Sequence, residues 1–486
     1  MRRGKRGLAA IARRFAMYDT TGFTPSLKKS LFWVIAAVTF GQCCFTVTQG
    51  AVWTGYLLDV MKADDFQLGL IAAIPVFANC LQLVASGILE RRRNRRFMFL
   101  FFGLVGRFFW IPIGLIPILL PAAAPIVKIA CLIFCVAMVS GGNSFVNISF
   151  ASLMADLVPM RIRGRYFTAR QSISLISSVL SGLLAAWVVD RFGQDGYIFV
   201  FIFAGVMGMA DIASFFFVDF PKMYSDDSPK KESFITMLLA VFRDKKFMGV
   251  VIFFTSWCFS ASIANPFYNV YMLNNLGMSY TDITLMNQIT ASIMTVLFVS
   301  RWGRPIDEYG NKPVVKFAGL ICCVFPLLWL IMSKSRLWMI VLMNALQGLF
   351  WPAVDIGQQN LYLSESPEKN RSMYLAVFFV VYNLVGVSLA NALGGALLKG
   401  PFTAMEGLGF TIMGEAITRY QYLFLLAVVL RIFVVMGLSP LILESGAAPM
   451  KDMLRTIKSD ASKKLRYGYY SIYVRRAKKQ AEKQNK

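Results

Sequence analysis

No histidine occurs anywhere in the 486 residues. A histidine proton relay, a Ser-His-Asp triad and most zinc sites are therefore excluded, and no metal or cofactor site is expected. Charge is also scarce: Asp, Glu, Lys and Arg make up 16% of the chain, against 57% hydrophobic residues, and mean hydropathy is +0.58. A water-soluble globule of this length has nowhere to hide that much apolar surface, so the chain belongs in a bilayer. Nothing follows the pattern G-x-x-x-x-G-K before Ser or Thr that cradles nucleotide phosphates, so ATP hydrolysis is not expected. The cysteines, Cys43, Cys44, Cys80, Cys131, Cys135, Cys258, Cys322 and Cys323, lie nearly all in apolar runs. There they act as small hydrophobes and draw no disulfide framework.

The formal charge of +24 is concentrated in the termini and in short loops between apolar runs. No basic face with a recognition module is present, so nucleic-acid binding is not expected. Roughly twenty apolar residues cross a hydrocarbon core, and by that measure about twelve segments span, near 31–57, 67–89, 97–119, 127–155, 168–189, 197–218, 248–273, 282–301, 313–332, 337–362, 372–397 and 421–442. One set of loops collects the cations: Arg91, Arg92, Arg93, Arg95 and Arg96, then Arg161, Arg163 and Arg165, then Arg301, Arg304, Lys312 and Lys316. The alternate loops balance theirs, Lys62 with Asp64 and Asp65, Arg191 with Asp190. Positive residues gather on the cytoplasmic side, which places both termini in the cytoplasm and the chain in the cytoplasmic (inner) membrane.

Five parts are expected: a basic segment 1–30, a six-helix bundle 31–218, a cytoplasmic linker 219–247, a second six-helix bundle 248–443 and a basic tail 444–486. The apolar part of the first segment, Leu8 to Ala12 among Arg2, Arg3, Lys5, Arg6, Arg13 and Arg14, is too short to cross a membrane and lacks a cleavage site. It reads as an interfacial basic helix. The linker turns from the polar run Tyr224–Glu232 to Phe234–Phe242, an amphipathic helix for the membrane surface. In the tail, Lys463, Lys464, Arg466, Arg475, Arg476, Lys478 and Lys479 surround Tyr467, Tyr469 and Tyr470. Each cation near anionic lipid headgroups is worth about 1 kcal/mol; a regulatory or partner-binding tail is the alternative.

One loop is written twice. Gly303 to Lys312 leaves one apolar segment as Gly87 to Arg96 leaves its counterpart, and the run from Pro159 to Tyr166 is echoed by that from Pro367 to Tyr374. Duplicated apolar halves are a transporter architecture with the substrate site between them. Gly303, Asp307, Gly310 and Lys312 satisfy the pattern G-x-x-x-D-x-x-G-x-R/K. In the first half Gly87, Arg92, Arg95 and Arg96 match, while Arg91 replaces the aspartate and Asn94 the second glycine. The loop resembles the signature between the second and third helices of each half in the major facilitator superfamily, and the resemblance runs from Leu31 to about Leu443. It implies an all-α polytopic membrane protein of two pseudo-symmetric six-helix bundles, a secondary transporter and not an enzyme. It does not fix the solute, because the superfamily carries sugars, drugs, peptides, nucleosides, anions and lipids. It further implies a gating contact at Asp307, whose carboxylate can accept hydrogen bonds from amides at a neighbouring helix start and pair with arginine. Arg163 and Arg371 are candidate partners, and Glu90 is a candidate substitute for the missing aspartate. The alternative for the arginine cluster is that it only enforces topology.

The resemblance also implies that the first, fourth, seventh and tenth helices face a central cavity while the third, sixth, ninth and twelfth pack outside. The first carries Gln42, Thr46, Gln49 and Trp53, the fourth Asn143 and Asn147, and the seventh Trp257, Asn265, Tyr268 and Asn269. Asn344, Gln347, Trp351, Asp355 and Gln358 share one face of the tenth by three-and-four spacing. Amides in hydrocarbon need partners or water, so this concentration argues for a hydrated cavity, with hydrogen bonding between helices as the alternative. Rings and amides together suit a small polar organic solute, a sugar, polyol or nucleoside above all. A drug-like cation near Asp355 is the other option. Burial disfavours a carboxylate's charged form, which makes Asp355 the candidate for proton coupling in a symporter. A proton-driven exporter of amphipathic drugs or lipids is the alternative within transport, and a non-transporting receptor or scaffold the alternative outside it. A monomer is expected.

Three further charges fall within spans and are expected off the path. Arg107 in the third helix and Asp211 in the sixth suggest a structural ion pair, since an isolated charge at mid-bilayer costs on the order of 3 kcal/mol or more. Arg431 in the twelfth has no acidic candidate in the ninth. An anion-binding role for either arginine stays open.

Overall fold

The computed structural model describes residues 23–79, 81–82, 85, 88–89, 94–159, 162–221, 234–367, 371–412, 415–444 and 446–455. The basic segment up to residue 22, the polar run 222–233 and the tail from 456 lie outside the described residues, as do Gly87, Glu90 and Arg92.

Local chemistry sets the helix ends. At the first helix, Pro25–Val47, the Thr24 side chain accepts from the Leu27 amide, and proline follows where its missing N–H costs nothing. The Thr48 hydroxyl then donates to the Cys44 carbonyl at 2.9 Å and Gly50 takes φ +69. The chain bends there and resumes as Gly50–Gly55 and the π-helical turn Tyr56–Val60. Asp64 and Gln67 form a reciprocal capping box at the second helix, Asp65–Ala78. The third to sixth are Arg95–Leu119, Pro125–Leu157, Arg163–Phe192 and Gln194–Phe217. The second half supplies Lys245–Asn274, then a bent pair Tyr280–Phe298 and Gly303–Tyr309, then Asn311–Ile331, Trp338–Ser364, Met373–Lys399 and Arg419–Leu441.

Ten of these helices are long and apolar enough to cross a membrane, and the pair bent by 52° makes an eleventh if it is one span. The second helix is apolar over the 14 residues described, and the rest of its stretch falls partly outside the described residues. The molecule is a multi-pass membrane protein of two helical bundles, and many large side chains remain exposed on its flanks, such as Phe32, Leu180 and Val296. Those faces suit lipid, because helices satisfy their own backbone groups and need only apolar surroundings. Between the bundles, Phe234–Arg243 forms a helix that buries Val241 while exposing Leu239 and Phe242.

In the first bundle the first helix packs against the fifth and sixth, and the third against the fourth; in the second the tenth packs against the eighth and ninth, and the seventh against the eleventh. The second and eleventh helices join the halves. A Cβ at Gly69 would strike the Asn391 carbonyl, and one at Gly395 would meet that of Asp65 at 2.5 Å. Only glycine permits this approach.

Among the described residues, the hydrogen bonds and ion pairs that join the halves cluster at the face opposite the inter-half connection. Ser388 and Asn391 donate to the carbonyls of Ala73 and Ala72. Lys399 pairs with Asp64 at 2.7 Å and Arg419 with Asp65 at 3.1 Å, which also accepts from the Tyr420 hydroxyl. Asp190 accepts from the amides of Tyr280 and Thr281 and from the Thr281 hydroxyl. The Tyr197 and Tyr280 hydroxyls meet at 2.8 Å and both reach Asp59. This far face is shut.

Candidate functional site

A cavity of about 380 Å³ opens within the second bundle. It lies near the lower end of the ~300–1,000 Å³ usual for small-molecule pockets. Trp257, Asn265, Tyr268 and Asn269 reach it from the seventh helix, and Asn344, Gln347, Trp351, Asp355 and Gln358 from the tenth. Three-and-four spacing turned these side chains to one side, and packing brought the two faces together. The Trp257 and Trp351 rings stand 5.6 Å apart at 37°. Asn344 donates to Asn287 at 2.8 Å and to the Met286 carbonyl, both on the eighth helix. Asp355 is exposed on the cavity side of its helix.

The first-half residues expected in the cavity are not among its lining. Gln42 donates to Thr46, which donates to Ser178, while Ser174 donates back to Gln42, so these polar groups satisfy one another between the first and fifth helices. Trp53 packs in an aromatic cluster with Tyr56, Trp110 and Phe201. Gln49 stands exposed at the bend before Gly50, and Asn147 is exposed and Asn143 partly buried on the fourth helix.

The expectation that the ninth and twelfth helices stay outside is corrected. Phe325, Pro326 and Trp329 line the cavity from the ninth and Arg431 from the twelfth, with Tyr382 from the eleventh. Arg431 is 5% exposed. It donates to the Cys322 carbonyl at 3.1 Å, its guanidinium carbon lies 6.0 Å from both the Trp257 and Trp351 rings, and its Nε has no hydrogen-bond partner. Arg431 is therefore held by the two indoles, the Cys322 carbonyl and the Tyr268 side chain, with no carboxylate within 4 Å among the described residues. The signal in the sequence was a mid-span arginine without an acidic partner. Asn287 and Tyr382 had no such signal, since neither repeats on a polar face.

Arg107 and Asp211 stand 3.6 Å apart with both side chains largely buried. Arg170 of the fifth helix, unnoticed in the sequence, lies near the same carboxylate and over the Phe150 ring at 4.9 Å.

At the signature loop Asp307 is exposed, and the next helix start, where it was expected, is met by another carboxylate. Glu444 takes that place, accepting from the amides of Asn311 and Lys312 at 2.9 and 2.6 Å, while Lys312 donates to the Ile442 carbonyl. Gly310, at φ +88, reverses the chain, so the following amides meet the end of the twelfth helix rather than Asp307. A Cβ at Gly303 would meet open space. Arg163 and Arg371 each open a helix.

Comparison with known proteins agrees with the fold. The family model described as Major Facilitator Superfamily matches residues 34–390 and again 251–448. The chain is 25% identical over 292 residues to the "Cis,cis-muconate transport protein" of Acinetobacter baylyi (strain ATCC 33305 / BD413 / ADP1), a match covering 57% of this chain and 66% of that protein, just under two thirds of its length. Among solved structures, the nucleoside transporter NupG superposes with a TM-score of 0.64 at 12% identity, covering 85% of this chain and 99% of that one. The D-xylose-proton symporter does so with 0.59 at 13%, covering 87% and 99%. At such identities these two likenesses speak for the fold alone.

Proposed function

Because the chain belongs to the Major Facilitator Superfamily, we propose that it is a secondary transporter that carries a small polar organic solute by alternating access. The observation that carries this reading is the pairing of a polar cavity in one bundle with a far face closed by contacts between bundles. Those contacts are few and polar, so they can break and re-form as the halves rock about the site. With the positive loops in the cytoplasm, this arrangement is the inward-facing state. The similarity to a relative named for muconate transport supports an organic solute as cargo. Asp355 couples the cycle to protons: it lines the cavity, has no cationic partner within 4 Å among the described residues, and meets water from whichever side is open.

Purified protein in proteoliposomes tests the reading. A radiolabelled solute should enter faster when the same unlabelled solute is loaded inside, and an inward proton gradient should drive its accumulation. Saturable binding with no counterflow for any bound solute would overturn it in favour of a receptor.

A further inference from the structure

We propose that the transported solute is a small organic carboxylate with a flat unsaturated or aromatic body, anchored by Arg431. This rests on the transporter reading above and names the solute class of the same cavity.

The protein does not compensate its own cation. Arg431 is nine-tenths buried at membrane depth, hydrogen-bonds only neutral groups, the Cys322 carbonyl and the Tyr268 side chain, and leaves Nε without a partner. A charge so placed is costly unless something of opposite sign meets it. Among the described residues the only carboxylate lining the same cavity is Asp355, and it forms no ion pair with Arg431 within 4 Å. A guanidinium fork matches a carboxylate in plane and spacing, with two parallel N–H···O bonds.

The surroundings select the rest of the molecule. The Trp257 and Trp351 indoles flank the guanidinium; Trp257 is buried, and the partly exposed Trp351 ring offers a flat apolar face beside the cation, against which a conjugated or aromatic body stacks while its carboxylate meets the guanidinium. Asn265 and Gln347 line the same cavity and can meet a further polar group on the solute, while Gln358 hydrogen-bonds Tyr382. One cation and one carboxylate in the lining disfavour a phosphate dianion, which would bring surplus negative charge to Asp355. Uncharged sugars and nucleosides would leave Arg431 unmatched.

Thermal stabilisation and tryptophan-fluorescence quenching of the purified full chain provide the test, with benzoate, sorbate and 4-hydroxybenzoate each paired with its primary amide, and with xylose and uridine as uncharged controls. At least one carboxylate should bind and its amide should bind at least tenfold more weakly. Arg431→Gln should weaken that carboxylate at least tenfold, and Arg431→Lys by less. The proposal is overturned if no carboxylate binds, if acid and amide bind alike, or if Arg431→Gln leaves affinity unchanged. Should Arg431→Gln fail to fold, the acid-to-amide ratio of the native protein decides. A carboxylate bound through Arg431 but not exchanged by proteoliposomes would defeat the transport reading and leave this one standing; counterflow of xylose or uridine without carboxylate binding would do the reverse.

Discussion

Asp355 and Arg431 line one cavity without touching, and each follows from how membrane depth treats a charge. Asp355 faces the cavity, with Cys258, Cys322 and Tyr382 among its titratable neighbours and Arg431 in the same lining. Asp355→Asn should therefore abolish proton-driven accumulation and preserve downhill exchange. Uphill uptake by that variant with the native pH dependence would remove the residue from the coupling mechanism. Arg107 and Asp211 differ, because their 3.6 Å approach is a compensated pair. Removing one partner of a buried pair leaves the other unmatched and costs about 3–5 kcal/mol. In a denaturation cycle, Arg107→Met with Asp211→Asn should cost at least ~1 kcal/mol less than the two single changes added together. Additive losses would mean that Arg170 or water, not Arg107, compensates Asp211.

At the scale of elements, the far-face latch works through a helix end. Asp190, from the close of the fifth helix, accepts from the first amides of the eighth, where the helix dipole favours an anion. Asp190→Ala should loosen the closed face, seen as a longer spin-label separation between positions Asp195 and Leu408. An unchanged distance distribution would assign closure to the close packing of Gly69 and Gly395 instead. Acid acts on the neighbouring tether. Burial works to raise the Asp64 carboxyl, yet hydrogen bonds from Lys399 and the Gln67 and Phe66 amides hold it below its ordinary value. A carboxyl lowered in the closed state favours closure above the ordinary aspartate range and loses that effect as pH falls through the lowered value. The same label distance should hold from pH 7 to about 5 and lengthen only below about 4. The shift will be small, as Asp64 and Lys399 are 39% and 60% exposed.

For the whole molecule, the contacts between the halves among the described residues lie on one face, and the signature loop of the second half lies toward the other. Asp307 is exposed in this state, and Glu444 satisfies the helix start that Asp307 was expected to hold. We propose that Asp307 acts in the opposite state, in which the halves close on that side. Asp307→Asn should slow transport and leave solute affinity within a few-fold, because it lies outside the cavity lining. Loss of equilibrium binding in folded protein would place Asp307 in the binding machinery instead.

The spans, the two halves and the polar face of the tenth helix were legible in the chain, since hydropathy over about twenty residues and three-and-four spacing are local properties. The family resemblance pointed to the seventh and tenth helices, and the nine residues named on them all line the cavity. Tertiary structure alone decided the rest. Gln42 and Thr46 have the same spacing as Asn344 and Gln347, but neighbouring serines on the fifth helix consume their hydrogen bonds. Arg431 enters the cavity because the twelfth helix turns it between two indoles contributed from 174 and 80 positions earlier in the chain. Glu444 displaces Asp307 because the chain reverses at Gly310. Periodicity fixes which side chains share a helix face; which helix that face meets depends on the rotation and tilt of every bundle member, and that information is distributed over the whole fold.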